Sequence, residues 1–165
     1  MSRTLAEAKQ WLQDHIADGA VCPCCDRYTK LYKRNINSSM AYVLILIHNH
    51  FQSAPEAEWL HVPSYLNERG LRGCVSAAIR GDWAKLTHWN LLTEKQCLCG
   101  TGTLAGYYKI TARGVAFAQN TCRVAKSVYL RNNEVEHFSD DTVSIRGALG
   151  KKFNYSELLT PAYPR

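Results

Sequence analysis

Between residues 4 and 17, apolar side chains recur at Leu5, Ala8, Leu12 and Ile16. This helical spacing predicts an amphipathic first helix that ends near Gly19. Met40 to Ile47 is an unbroken apolar run, which predicts a buried helix capped by Ser38 and Ser39, reaching about His50 and ending before Pro55. Trp59 to Val62 has the length of a strand, and Pro63 opens a short helix, Ser64 to Glu68, stopped by Gly70. From Cys74 to Trp89 a longer helix is predicted, with Val75, Ile79, Leu86 and Trp89 inward and Gly81 as a point of bend or break. Strands follow at Leu91 to Glu94 and Tyr107 to Thr111, separated by a glycine-bearing loop over 96–106, and then a short helix, Ala112 to Gln119. Asn132-Asn133 between Ser127–Leu130 and Glu134–Phe138 reads as a hairpin turn, because Asn tolerates positive φ. A last helix carries Val143, Ile145 and Leu149, capped from Ser139 to Asp141 and closed by Gly150.

This order of elements predicts an α+β chain in three parts: an N-terminal helix and cysteine knuckle (1–37), a central domain (38–122) and a C-terminal hairpin with a helix (123–165). At 165 residues and 46% hydrophobic, the chain has enough apolar material for a real core. Its longest apolar run falls far below the roughly 20 residues of a bilayer span, and Ser2 to Asp18 lacks the apolar stretch of a secretion signal. A soluble cytoplasmic protein is expected.

Charge sharpens the picture. Residues 1–60 are balanced, with six Lys/Arg and six Asp/Glu, whereas residues 61–131 hold ten Lys/Arg against three Asp/Glu. No acidic residue occurs from Lys95 to Asn133, while Lys95, Lys109, Arg113, Arg123, Lys126 and Arg131 are all basic. A one-sign segment in an otherwise balanced chain points to an anionic partner, and nucleic acid is the commonest.

The sequence of elements over 38–119 resembles a winged helix-turn-helix. Gly81-Asp82-Trp83-Ala84-Lys85-Leu86-Thr87-His88-Trp89-Asn90-Leu91-Leu92-Thr93-Glu94 resembles the recognition-helix end and first wing strand of MarR-type domains. Tyr107-Tyr108-Lys109-Ile110-Thr111-Ala112-Arg113-Gly114 resembles their second wing strand and its step into the next helix. The whole chain is also similar to small bacteriophage proteins in which a CPxC knuckle precedes such a domain, which would place it in the cytoplasm of a bacterial host. The resemblance implies a regulator that binds double-stranded DNA, with a helix in the major groove and a wing on phosphates or the minor groove. Carried onto this sequence, Ser76, Arg80 and Thr87 would face the groove, with Arg72 just before the first turn and Lys85 and His88 at the flank. Lys95 and Lys109 would border the wing, and Arg113 would open the following helix on phosphate. Such proteins are often homodimers, and 127–149 is available either as a dimer surface or as a cap on the core. A different class remains open, in which the winged helix is an adaptor for a host or phage protein, with Trp11, Trp59, Trp83 and Trp89 as candidate anchors.

Seven cysteines, three of them in Cys22-Pro23-Cys24-Cys25, argue for metal or redox chemistry rather than a disulfide framework. Cys22 and Cys25 have half-knuckle spacing, with Pro23 favouring a turn whose amides point at the thiolates. Cys97 and Cys99 supply a second pair, so four thiolates are expected to hold one structural Zn2+, with Cys24 an alternative to Cys22 or Cys25. A redox dithiol is the other possibility at 22–25. Gly100-Thr101-Gly102-Thr103-Leu104-Ala105 matches a dinucleotide fingerprint in letters, but a strand rather than a helix is predicted after it. No catalytic constellation is present in the sequence, and no enzyme is expected.

Overall fold

The computed structural model describes residues 3–70 and 81–160. Along the chain lie helix α1 (Leu5–His15), strands β1 (Ala20–Val21), β2 (Tyr28–Thr29) and β3 (Tyr32–Asn35), and helix α2 (Ser38–Ser53). Strand β4 (Leu60–His61), helix α3 (Val62–Glu68), a 3-10 helix (Asp82–Trp89) and strands β5 (Leu92–Gln96) and β6 (Thr103–Ile110) follow. Helix α4 (Ala112–Ala118) then precedes β7 (Val124–Ala125), β8 (Ser127–Arg131), β9 (Glu134–Phe138), β10 (Thr142–Val143), α5 (Ile145–Leu149) and α6 (Tyr155–Leu159). The chain is mixed α+β with small antiparallel sheets, and among the described residues no helix is long and apolar enough to cross a membrane.

Two compact units result, one of residues 1–35 with 126–141, the other of 36–125 with 142–165. In the first unit, Thr4 and Glu7 form a capping box on α1: the Thr4 amide donates to Glu7 Oε2 (2.7 Å) and the Glu7 amide donates to Thr4 Oγ1 (3.3 Å). Of the face predicted to be apolar, only Ala8 is buried and Leu5 stays 63% exposed. β1 and β2 make a short hairpin whose turn is the cysteine knuckle. β8 is the centre strand of the order β3-β8-β9, with Ser127, Val128 and Leu130 buried. The β8–β9 turn is made by Asn132 (φ 50°) and Asn133 (φ 66°), the pair of left-handed residues that a two-residue hairpin requires.

In the second unit, α2 is the hub. Met40, Ala41, Val43, Leu44, Ile45, Leu46 and Ile47 are all buried, and the helix packs on the 3-10 helix, α4, α5, α6 and β6. Its cap is Asn37 rather than Ser38 or Ser39. The extended Asn37 backbone lets Oδ1 accept the Met40 amide (2.9 Å), while both serines are already helical.

Three other predicted elements differ. Of the long helix expected from Cys74 to Trp89, the described part becomes a 3-10 helix from Asp82, and residues 71–80 lie outside the described residues. Trp83, Leu86 and Trp89, its buried residues, are spaced by three and so align on one side of a helix with three residues per turn. The glycine loop predicted over 96–106 is shorter than expected, because β6 already starts at Thr103. The last predicted helix is capped by Ser144, not by Ser139 to Asp141, and Thr142–Val143 pair with β7 instead. α6 was not expected from the sequence.

Candidate nucleic-acid interface

β4, β6 and β5 form an antiparallel sheet in the order β4-β6-β5. Leu60 pairs with Tyr108, Glu94 with Tyr108, and Leu92 with Ile110. Cross-strand partners share a face, and Leu60, Tyr108, Leu92 and Ile110 are all buried, so this face is the inner one. Successive residues point the other way, which places His61, Tyr107, Lys109 and Thr93 on the outer face through the pairs His61–Tyr107 and Thr93–Lys109. Lys95 joins them at the register shift between Glu94 and Gln96. Its Nζ lies 5.8 Å from the centre of the Tyr107 ring and 5.9 Å from that of Trp59, inside cation–π range.

Glu94, the one acidic residue of these three strands, faces the other side. Its Oε1 accepts the Tyr108 hydroxyl (2.7 Å), and burial together with this carboxylate raises the phenol far above its usual pKa. The outer face therefore carries the Lys95 cation over two aromatic rings and Lys109 beside Thr93, with no carboxylate from these strands. Neither lysine forms an ion pair among the described residues.

Two glycines fix this geometry. Gly106 has φ +82°, and a Cβ there would stand 2.6 Å from His61 Nε2. The His61 ring is itself held, since Nδ1 accepts the Ser64 amide (3.3 Å) as the cap of α3 and lies 2.6 Å from the Ser64 hydroxyl. Gly114 has no room for a side chain, because a Cβ would come 2.1 Å from the Leu91 carbonyl oxygen. Thr111 clamps the same junction: its Oγ1 donates to Asn90 O (2.6 Å) and accepts the Gly114 amide (2.9 Å). The run Ile110-Thr111-Ala112-Arg113-Gly114 thus joins the sheet to α4 and leaves Arg113 exposed on its first turn.

The other residues singled out by sequence fall differently. Arg72, Ser76 and Arg80 lie outside the described residues. Lys85 Nζ is held by Asp82 Oδ1 (2.6 Å), and Thr87 Oγ1 donates to Ala84 O (2.9 Å), both one turn away along the 3-10 helix. His88 is half-buried, and desolvation, helped by nearby Lys85, lowers its pKa below the usual 6.5. Lys85 is therefore committed to Asp82, and burial disfavours a charged His88, whereas Lys95, Lys109 and Arg113 form no ion pair among the described residues. Trp59 and Tyr107 were missed as part of this surface. The available signal was the alternation Tyr107-Tyr108-Lys109, in which only the outer positions stay free of the core.

The cysteines are described unit by unit. In the β1–β2 turn the Cys22 amide donates to Arg27 O (2.8 Å) and the Asp26 amide to Cys22 O (3.0 Å). Hydrogen bonding from the backbone of Cys24, and next of Cys25, lowers the Cys22 thiol pKa. Cys97 and Cys99 meet at the other turn, between β5 and β6, with their sulfurs 2.6 Å apart. Hydrogen bonding from Cys97, and next from Thr101, brings the Cys99 thiol down to about 7. Among the described residues no group of three or more His, Cys, Asp and Glu side chains is gathered to hold a metal ion. No protein-family model, curated protein or solved structure matches this chain.

Proposed function

We propose that residues 38–122 are a winged-helix DNA-binding module whose β5–β6 wing contacts the phosphate backbone of duplex DNA through Lys95 and Lys109, with Arg113 in support. One observation carries this: the outer face of the β4-β6-β5 sheet presents Lys95 over the Trp59 and Tyr107 rings with Lys109 on the same face, while its acidic residue is tied to Tyr108 on the inner side. A cation fixed over ring faces and left without a carboxylate partner is arranged for an external anion. The weight lies on the wing rather than on Lys85, which is paired with Asp82, and His88, whose charged form burial disfavours.

Lys95→Ala and Lys109→Ala are each expected to weaken binding to all duplex sequences alike, and to reduce the slope of log affinity against log salt by about 1. The test is fluorescence anisotropy with a labelled random duplex, with circular dichroism to verify folding. Unchanged slopes in both folded variants would contradict the proposal.

An adaptor role has an observation of its own. Val21, Tyr28, Tyr32, Val135 and Phe138 are exposed on the unit made of 1–35 and 126–141, and such side chains suit a protein partner. Partner capture that is insensitive to salt and free of DNA would favour it.

A further inference from the structure

The turn between β5 and β6 is closed by backbone bonds: the Cys97 amide donates to Gly102 O (3.0 Å) and the Gly100 amide to Cys97 O (3.1 Å). Leu98, between the two cysteines, is fully exposed. Cys97 and Cys99, two positions apart, turn toward each other with their sulfurs 2.6 Å apart. Cys99 is exposed and Cys97 half-buried. The Cys99 sulfur also lies 3.5 Å from Thr101 O and 3.7 Å from Thr101 Oγ1.

The two sulfurs thus face each other across one exposed turn, within reach of a bond that would close without rearranging the strands.

We infer that Cys97 and Cys99 are a redox-active dithiol that closes reversibly to an intramolecular disulfide by exchange with small-molecule disulfides. In the first step Cys99, the exposed member, attacks one sulfur of the small disulfide as a thiolate. A Cys99–S–S–R bond forms, and the other half leaves as a thiolate that takes a proton from water. Cys97, also as a thiolate, then attacks Cys99 Sγ. The Cys97–Cys99 bond forms, the bond between Cys99 Sγ and the small molecule's sulfur breaks, and the second small thiolate leaves. Two protein thiols are oxidised and one small disulfide is reduced to two thiols. Because the product is exposed and closes a three-residue loop, it belongs with the readily reduced, labile disulfides rather than with permanent staples. The exchange needs no DNA.

The test treats the fully reduced full-length chain with oxidised glutathione in the presence of a chelator. Acid quenching and alkylation follow, and the tryptic peptide Gln96–Lys109 is weighed. The expected peptide has lost two hydrogens, carries neither glutathione nor alkyl groups, and returns to two alkylated thiols after reduction with dithiothreitol. Cys97→Ser, a surface-loop change, is expected to trap a stable glutathione adduct on Cys99. Two alkylated thiols in the treated wild type, or a stable adduct on wild-type Cys99, would overturn the inference, as would a Cys97→Ser variant that accumulates no adduct.

Discussion

Glu94 and Lys95 are neighbours in sequence, yet they serve opposite faces of one sheet. The carboxylate turns inward to Tyr108, and the ammonium turns outward over Trp59 and Tyr107. That division depends on the β6 backbone keeping its register past Gly106, whose positive φ and contact with His61 leave no space for a side chain. Gly106→Ala adds a strained backbone conformation and a clash with a ring that already caps α3. It should cost about 1–3 kcal/mol, read as a lowered urea midpoint with an unchanged m-value. A variant as stable as the parent would mean that the His61 ring gives way freely and does not hold the outer face in place.

At the scale of elements, α2 organises its unit, and its start depends on one side chain. Asn37→Ala removes the acceptor for the Met40 amide and should lower stability by about 1 kcal/mol, whereas Asn37→Asp should retain most of it. Thermal unfolding of both variants checks this, and equal losses would rule out a capping role. Long and strongly patterned elements were legible in the sequence: the apolar run of α2, Pro63 at the start of α3, the β8–β9 turn at Asn132-Asn133, and the strand that leads through Thr111 into α4. What escaped was local competition. Three residues in a row, Asn37, Ser38 and Ser39, can cap a helix, and backbone conformation rather than composition selects Asn37. The 3-10 helix was announced by Trp83, Leu86 and Trp89 at a spacing of three, but a helical pattern read with 3.6 residues per turn absorbs two of these and passes over the third. α1 shows the converse limit, since a clean amphipathic spacing did not bury Leu5. Of the candidate site, the basic residues were legible as a charge run. The aromatic bed was not, because it needs Trp59 and Tyr107 from separate strand regions to converge on Lys95.

For the molecule as a whole, the acid-free run from Lys95 to Asn133 is divided between the two units. Lys95, Lys109, Arg113 and Arg123 belong to one unit, and Lys126 and Arg131 to the other. Arg131 is paired with Glu136, and Arg123 spends its guanidinium on Thr142, through Nε to Oγ1 (3.0 Å) and through an η nitrogen to the carbonyl oxygen (3.0 Å). Net charge therefore overstates what is available to a partner: of this run, Lys95, Lys109, Arg113 and Lys126 form no ion pair among the described residues, and the first two share the outer face of the β4-β6-β5 sheet. The most direct measurement is binding of the full-length chain to a labelled random duplex, titrated from low to physiological salt. Neutralising phosphates with Lys95, Lys109 and Arg113 predicts log affinity falling with log salt at a slope of about −2.7, since each phosphate contributes roughly −0.9. A flat dependence, or no binding at the lowest salt, would contradict a DNA-binding wing and leave the exposed apolar surface of the other unit as the leading interface.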